Sequence, residues 1–303
     1  MAESAWHPRE LAGLVKQAAQ GWSDDDAPSM GAALAYYTLF SIAPLLMIVI
    51  AVAGTVFGEQ AARGEIMGEL SGLLGPEGAQ ALETMLKSVK YERSNPWAAA
   101  ASLGALLVGA TTVFAALQSS LNRIWRDSHA VEPQHGLWAI VRTRLLSLGI
   151  ILCLGFLSLV SLVFNAAVTA LGQWWAPYVG DISVLGKLAD FSISFGVVTV
   201  MFAMLYKWVP AAKVHWHDVW VGAVATAALF SIGKSAIGYY IGRSGVTTAF
   251  GAAASVVVLM VWVYYSAQIF LMGAELTWAY ACRFGSMKDR ITAADGGSSA
   301  ELR

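Results

Sequence analysis

The chain has 303 residues, of which 57% are hydrophobic and only 13% are charged, and its mean hydropathy is +0.59. Soluble domains carry about 25% charged residues, so this deficit predicts a polytopic membrane protein. The formal net charge of -1 argues against a broad nucleic-acid surface, and we expect no nucleic-acid partner. Cys153 and Cys282 stand far apart in or beside apolar segments, so we expect neither a structural disulfide nor a CxxC metal or redox pair.

The N-terminal segment, residues 1–29, is mostly polar and is predicted to lie in the cytoplasm. Its apolar residues recur at helical spacing, which predicts a short amphipathic helix on the membrane or under the bundle. These residues are Leu11, Leu14, Val15, Ala18 and Trp22. Ser23 and the acidic run Asp24, Asp25 and Asp26 are predicted to cap the first membrane helix. That helix is too long for a signal peptide, so we expect it to remain as an anchor.

Residues 31–57 contain no charged residue and are long enough to cross a bilayer, which takes about 20 apolar residues. Hydroxyls cluster in the first half, at Tyr36, Tyr37, Thr38 and Ser41. Pro44 removes one backbone donor, which predicts a break in the helix near Phe40. A freed carbonyl in lipid must find a partner, so we expect this helix to face protein or a polar cavity. An ordinary proline kink is the alternative.

Residues 58–95 form the longest stretch that does not span the membrane. Their apolar residues recur every three or four positions on either side of Gly75 and Pro76. This pattern predicts two short amphipathic helices on the periplasmic side, lying on the membrane or covering the bundle. The alternative is a cap that binds an envelope partner.

Further apolar segments predict five more spans, at about 96–121, from 145 within a charge-free stretch that ends at 180, and at 191–206, 219–242 and 248–280. The fourth span can begin earlier if the membrane edge tolerates Lys187 and Asp190. We therefore predict an all-α fold with a six-helix transmembrane domain over residues 30–282. The polar tail, residues 283–303, is predicted to be disordered and cytoplasmic.

Charge asymmetry predicts the orientation of the bundle. Most lysines and arginines that flank the spans fall on the side that carries both termini, whereas the short loops opposite hold only Lys187 and Arg243. Because cytoplasmic loops carry the excess of basic residues, both termini are expected in the cytoplasm.

Two ionisable residues, Lys234 and Glu275, lie within predicted spans, where charges are costly and usually face the bundle interior. Lys234 lies about 24 Å from the cytoplasmic end of its helix and Glu275 about 12 Å from that of its own. A direct pair would therefore need extended side chains. Depth favours Gln268, Tyr264 and Tyr265 as neighbours of Lys234. Snorkelling or structural pairing is the alternative for Lys234, and structural hydrogen bonding for Glu275.

The candidate cavity or substrate pathway combines polar groups from the first, fifth and sixth spans. Its predicted members are Tyr36, Tyr37, Ser41, Pro44, Lys234, Tyr264, Gln268 and Glu275. Glu275 is expected to point into the bundle and to contact the first span or water between the helices. Gly238 and Gly242 form a GxxxG pattern, which allows close helix approach within one chain or in a homo-oligomer.

Three parts of the sequence together resemble the YihY/BrkB family of bacterial inner-membrane proteins. They are GAALAYYTLFSIAPLL at 31–46, YKWVPAAKVHWHDVWVGA at 206–223 with IGKSAIGYYIGRS at 232–244, and FGAAASVVVLMVWVYYSAQIFLMGAELTWAY at 250–280. Ala254 stands where the family usually has Gly, which affects only local packing. The resemblance implies six spanning helices, a bacterial inner membrane and a role in envelope integrity or export.

Members of this family also carried the label ribonuclease BN. Zinc-dependent ribonucleases of the metallo-β-lactamase fold use an HxHxDH motif. Here His215, His217 and Asp218 give only a fragment, and Trp220 replaces the final histidine. A catalytic zinc needs three protein ligands and an open position, so we expect no metal, no cofactor and no ribonuclease activity. The alternative for this segment is an interfacial turn at headgroup level.

The leading functional hypothesis is a transporter-like or lipid-interacting bundle. Its partners would be membrane lipids and a lipid or small envelope solute. The alternative is a non-catalytic scaffold that binds an envelope partner through residues 58–95. An enzyme is disfavoured because no P-loop, nucleophile elbow or complete metal motif is present.

Overall fold

The computed structural model describes residues 8–88, 112–126, 183–212, 214–243, 250 and 253–288. These residues form helices joined by turns and contain no strand, which confirms the predicted all-α class for this part of the chain. The helices are α1 (Pro8–Asp24), α2 (Ala27–Phe57), α3 (Glu59–Ser88), α4 (residues 112–124), α5 (Ser183–Trp208), α6 (Trp216–Arg243) and α7 (Ala254–Arg283).

Three helices in the described ranges are long and apolar enough to cross a membrane, namely Phe191–Trp208 within α5, all of α6 and all of α7. Helix α5 begins at Ser183 and so includes Lys187 and Asp190, but its apolar membrane-length part begins at Phe191, as the shorter form of the fourth span predicted. The predicted third span and most of the second lie outside the described residues, as does the tail beyond residue 288. The count of six therefore stays a prediction.

Exposed side chains along α6 fit a membrane-spanning helix. Trp216 and Trp220 are 45% and 42% exposed near one end, and Tyr239 and Tyr240 are 63% and 57% exposed near the other. At 1.5 Å per residue, Trp220 and Tyr239 are about 29 Å apart along the axis. The hydrocarbon core of a bilayer is about 30 Å thick, with Trp and Tyr enriched at its two interfaces.

Helix α2 has 31 residues and continues across position 44, so the predicted break near Phe40 is not present. The predicted acidic cap also needs correction. Asp26 precedes the helix in the left-handed conformation (φ 57°, ψ 44°), and its side chain makes no capping hydrogen bond. The Asp26 carbonyl instead accepts hydrogen bonds from the amides of Ser29 and Met30, at 3.1 and 3.2 Å. Asp26 is therefore the N-cap residue of α2 through its carbonyl and not through its side chain, and aspartate tolerates the left-handed conformation that it adopts.

The two amphipathic helices predicted for residues 58–95 are one helix in the described part of this segment. Helix α3 runs from Glu59 to Ser88 with Pro76 inside it. The chain turns instead at Gly58, where φ is 82°, a conformation that glycine adopts without steric cost. Proline removes one helical hydrogen bond, but packing on both sides of it can hold the helix together.

Apolar packing supplies that support. Leu82 and Leu86 of α3 pack with Leu46 and Ile50 of α2 and with Leu259 of α7 in one buried cluster. Residues on the other side of Pro76 pack against the same cluster; they are Ile66, Met67 and Leu70. Tertiary burial thus outweighs the local proline signal, because each buried aliphatic side chain contributes roughly 1.5–3 kcal/mol.

The described residues divide into two compact units. Unit 1 contains residues 8–17, 125–126, 183–212, 214–228 and 276–288. Unit 2 contains residues 18–88, 112–124, 229–243, 250 and 253–275, including the apolar cluster of α2, α3 and α7. In unit 1, Tyr206 is fully buried, and its hydroxyl lies 3.0 Å from the hydroxyl of Thr226 on α6.

Candidate intramembrane polar site

Glu275 is a fully buried carboxylate within unit 2. It lies in α7, eight residues or about 12 Å before the end of that helix at Arg283. The carboxylate packs against the backbone of Gly21 in α1. A methyl group added to Gly21 would lie 3.0 Å from the carboxyl carbon and still closer to Oε2. Glu275 therefore occupies space that only glycine at position 21 leaves open. Its predicted contact with the first span stays a prediction.

Gln268 is the second polar residue on this side of α7. Its Nε2 donates a 3.4 Å hydrogen bond to the carbonyl of Ala27, at the start of α2. A methyl group on Gly31 would lie 3.1 Å from the amide carbon of Gln268. Oε1 is buried and accepts no hydrogen bond within the described part of the chain. Because Gln268 and Glu275 are seven residues apart, they share one face of α7, about 10.5 Å apart along its axis.

Lys234 of α6 is half-buried and lies at a different level from Glu275. A methyl group on the preceding residue, Gly233, would lie 2.5 Å from Cδ1 of Ile269 and 3.0 Å from the ring of Tyr265. These contacts set Lys234 near the level of residues 265–269, about 9 to 15 Å along α7 from Glu275. The level agrees with the depth comparison made from the sequence, in which Lys234 lies nearer Gln268 than Glu275.

The hydroxyl-bearing residues in the first half of α2 differ in exposure. Tyr36 is 53% exposed, and its ring packs against Phe40 with the centroids 4.9 Å apart. Tyr37 is half-buried beside it. Ser41 is buried, and its hydroxyl donates to the carbonyl of Thr38 at 3.2 Å. This hydroxyl therefore has a local partner in its own helix.

Tyr264 is 37% exposed, and the side chain of Pro44 lies outside the described residues. Of the eight predicted residues, Gln268 and Glu275 are thus the two that share one helix face and contact the backbone of α1 and α2.

Sequence reasoning missed the two glycines that admit these polar side chains. Gly21 and Gly31 lie inside α1 and α2, where glycine costs roughly 0.5–1 kcal/mol relative to alanine. A glycine inside a predicted helix can mark close approach, but Gly64 and Gly68 of α3 are helical glycines in open space, so this signal alone does not single out Gly21 and Gly31. Trp22, next to Gly21, also has a buried indole N–H that makes no hydrogen bond within the described residues.

Asp218 is a second buried carboxylate, in unit 1, at the start of α6. It is 2% exposed, and its Oδ2 accepts hydrogen bonds from the amide and the hydroxyl of Ser286, at 3.0 and 2.7 Å. A methyl group on Gly285 would lie 2.6 Å from its carboxyl carbon. Asp218 therefore joins the start of α6 to the turn that follows α7.

The histidines beside Asp218 do not complete a zinc site in the described part of the chain. His217 is exposed, its Nδ1 lies 3.8 Å from Asp218 Oδ1, and its ring stacks on Tyr280 at 6.1 Å. Within the described ranges, no group of three or more His, Cys, Asp or Glu residues could hold a metal ion.

Comparisons with known proteins identify the family of this chain. The family model described as Virulence factor BrkB matches residues 18–295, which include Gly21, Gln268 and Glu275. A UPF0761 membrane protein of Ralstonia nicotianae is 27% identical over 276 residues, covering 89% of this chain and 59% of the relative. A UPF0761 membrane protein of Pseudomonas aeruginosa is 30% identical over 263 residues, covering 83% of this chain and 59% of the relative.

A UPF0761 membrane protein of Aeromonas salmonicida is 27% identical over 245 residues, which cover 80% of this chain and 80% of the relative. The chain thus spans 59% of the length of the relatives from Ralstonia and Pseudomonas. No solved structure matches this chain. The family model covers most of the chain, and the resemblance noted in its sequence is confirmed: the protein is a membrane protein of the BrkB virulence factor family.

Proposed function

We propose that this protein is a transporter-like protein of a bacterial inner membrane, which moves a lipid or small envelope solute past the polar face of α7. The observation that carries the proposal is Glu275, a carboxylate with no exposed surface inside a helix apolar enough to span a membrane. A role in envelope integrity or export would follow from such transport.

The cost of Glu275 supports a functional role. An ionised side chain near the centre of a spanning helix costs roughly 2.5–3.5 kcal/mol on insertion scales, and such residues commonly mark substrate or proton pathways. Gln268 on the same face adds a buried acceptor, Oε1, which a donor on a solute or a water molecule would satisfy. The two side chains lie on one face of α7, about 10.5 Å apart along its axis.

An experimental structure in lipid nanodiscs tests this proposal. We expect non-protein density, from water, solute or lipid, within hydrogen-bonding distance of Gln268 Oε1 and continuing toward Glu275. A structure in which protein groups alone enclose both side chains, with no space between the helices, would contradict a transport pathway.

The proposed orientation places both termini in the cytoplasm and α3 in the periplasm. Gly64 of α3 is exposed with open space around it, and Lys16 of α1 is exposed. In a chain whose native cysteines are replaced by serine, Gly64→Cys should react with a membrane-impermeant maleimide in intact cells. Lys16→Cys should react only after lysis, and the reverse pattern would overturn the orientation.

A scaffold that binds an envelope partner through residues 58–95 is the second candidate. One observation favours it: Gly64 and Gly68 lie one turn apart on α3, exposed, with no atom within 4 Å of an added methyl group. If a partner packs there, Gly64→Leu should abolish function at unchanged thermal stability. A transporter should tolerate the same change. The homo-oligomer suggested by Gly238 and Gly242 stays a prediction.

A further inference from the structure

Three exposed tryptophans lie together in unit 1, where α5 ends and α6 begins. Trp208 and Trp216 are each 45% exposed, and their rings meet edge to face with centroids 6.2 Å apart. Trp220 is 42% exposed and lies one turn beyond Trp216 on α6. Exposed indoles in contact with one another are unusual on a surface that faces only water, because each leaves a large apolar area unburied.

A lysine and a histidine lie beside these indoles. Lys207 Nζ lies 5.5 Å from the centroid of the Trp216 ring and donates a hydrogen bond to the carbonyl of Val214. His215 is exposed beside them. Asp218 is the one acidic residue between positions 207 and 220, and its buried carboxylate accepts from Ser286. Between positions 207 and 220, no second carboxylate is therefore present to compete for a ligand.

The position of Trp220 along α6 fits the interface of a membrane. Trp220 lies about 29 Å along α6 from the exposed Tyr239 at its other end, which matches the thickness of a bilayer core. An indole at that depth has its ring in the acyl boundary and its N–H among the headgroups. A lysine at the same level attracts anionic headgroups in preference to zwitterionic ones.

We propose that this surface, the tryptophan face (Lys207, Trp208, His215, Trp216 and Trp220), binds the headgroups of anionic phospholipids. The indoles supply the apolar contact with the upper acyl chains, and the Lys207 ammonium supplies the opposite charge for a phosphate. This binding does not depend on transport past Glu275, so either proposal can fail alone.

Native mass spectrometry of the full chain tests the tryptophan face. The protein is released from nanodiscs that contain equal amounts of phosphatidylglycerol and phosphatidylcholine, and the retained lipids are counted. We expect the wild type to retain phosphatidylglycerol preferentially, by about fivefold for the one lysine involved. The double variant Lys207→Met, Trp208→Leu should retain the two lipids equally. Tyr240→Leu is the matched control, since this exposed aromatic lies at the other end of α6 and should leave the preference unchanged.

A second measurement uses the unmodified protein, because Lys207→Met also removes the contact with Val214 and could unfold the turn. Raising the salt concentration from 50 to 500 mM shortens the Debye length from about 14 Å to about 4 Å. The phosphatidylglycerol preference of the wild type should then fall severalfold. Equal retention of both lipids by the wild type at low salt, or a preference that salt leaves unchanged, would overturn the proposal.

Discussion

The two buried carboxylates of this protein are held in different ways. Asp218 in unit 1 accepts two hydrogen bonds from Ser286 and lies at the start of α6, where the chain leaves the predicted membrane. Glu275 in unit 2 lies inside an apolar helix and packs against the bare backbone of Gly21. Both carboxylates pack against a neighbouring glycine, Gly285 for Asp218 and Gly21 for Glu275, so the two differ in their position along the helix that carries them.

The difference separates a structural acid from a candidate functional one. A buried carboxylate with good hydrogen bonds contributes to stability, and removing it leaves its donors without an acceptor. A carboxylate inside an apolar membrane-spanning helix is costly to bury, and such residues commonly mark a substrate or proton pathway. Substitution of Asp218 should therefore lower mainly the stability of the protein, and substitution of Glu275 should lower mainly its activity.

The largest loss of stability is expected for Asp218→Ala. The amide and hydroxyl of Ser286 would both lose their acceptor at a partly buried site, which should cost about 2–3 kcal/mol of unfolding free energy. The measurement is thermal unfolding of the purified protein in detergent. Ser286→Ala removes only the hydroxyl and should cost about 1 kcal/mol. An Asp218→Ala variant as stable as the wild type would refute the structural role.

Gly21→Ala should also destabilise the protein, by about 1–3 kcal/mol, because the new methyl group would displace the Glu275 carboxylate. Gly64→Ala is the matched control: it changes a helical glycine in open space and should be neutral or stabilising by up to about 1 kcal/mol. If both variants unfold at the wild-type temperature, Glu275 does not pack against Gly21.

Glu83 of α3 carries an exposed carboxylate, and its contribution to stability can be compared with those of the two buried carboxylates. Lys87 lies one turn away on α3, and its Nζ forms a 2.8 Å salt bridge with Oε1 of Glu83. The hydrogen bond from Lys87, together with its positive charge, lowers the pKa of Glu83. The lowered pKa means that the pair favours folding above the ordinary glutamate pKa and loses this effect as the pH falls through the lowered value. Because the pair is exposed, Lys87→Ala should leave the unfolding temperature unchanged at neutral pH. A clear fall would show that α3 depends on this pair.

Much of the helical framework could be predicted from sequence, because apolar length and charge spacing act locally. The spans in α5, α6 and α7 follow from such signals. The single helix α3 could not be predicted, since the packing of Leu82 and Leu86 on α2 outweighs the local signal of Pro76.

The candidate site divides along the same line. Glu275 and Gln268 stand out in the sequence because polar groups in spans are costly. Their contacts with Gly21 and Ala27 join residues about 240 to 250 positions apart, and no local pattern encodes such a pairing. The hydrogen bonds between Ser286 and Asp218 also join distant parts of the sequence, 68 positions apart, and no local pattern predicts them.

The central claim is that Glu275 is kept for function rather than for stability, and Glu275→Gln tests it most directly. The variant keeps the shape of the side chain and removes its charge. Two quantities are measured for the same protein: its unfolding temperature in detergent, and its ability to restore envelope integrity in a bacterium that lacks the gene. We predict an unfolding temperature close to that of the wild type together with lost complementation. A stable Glu275→Gln variant that complements fully would contradict the account.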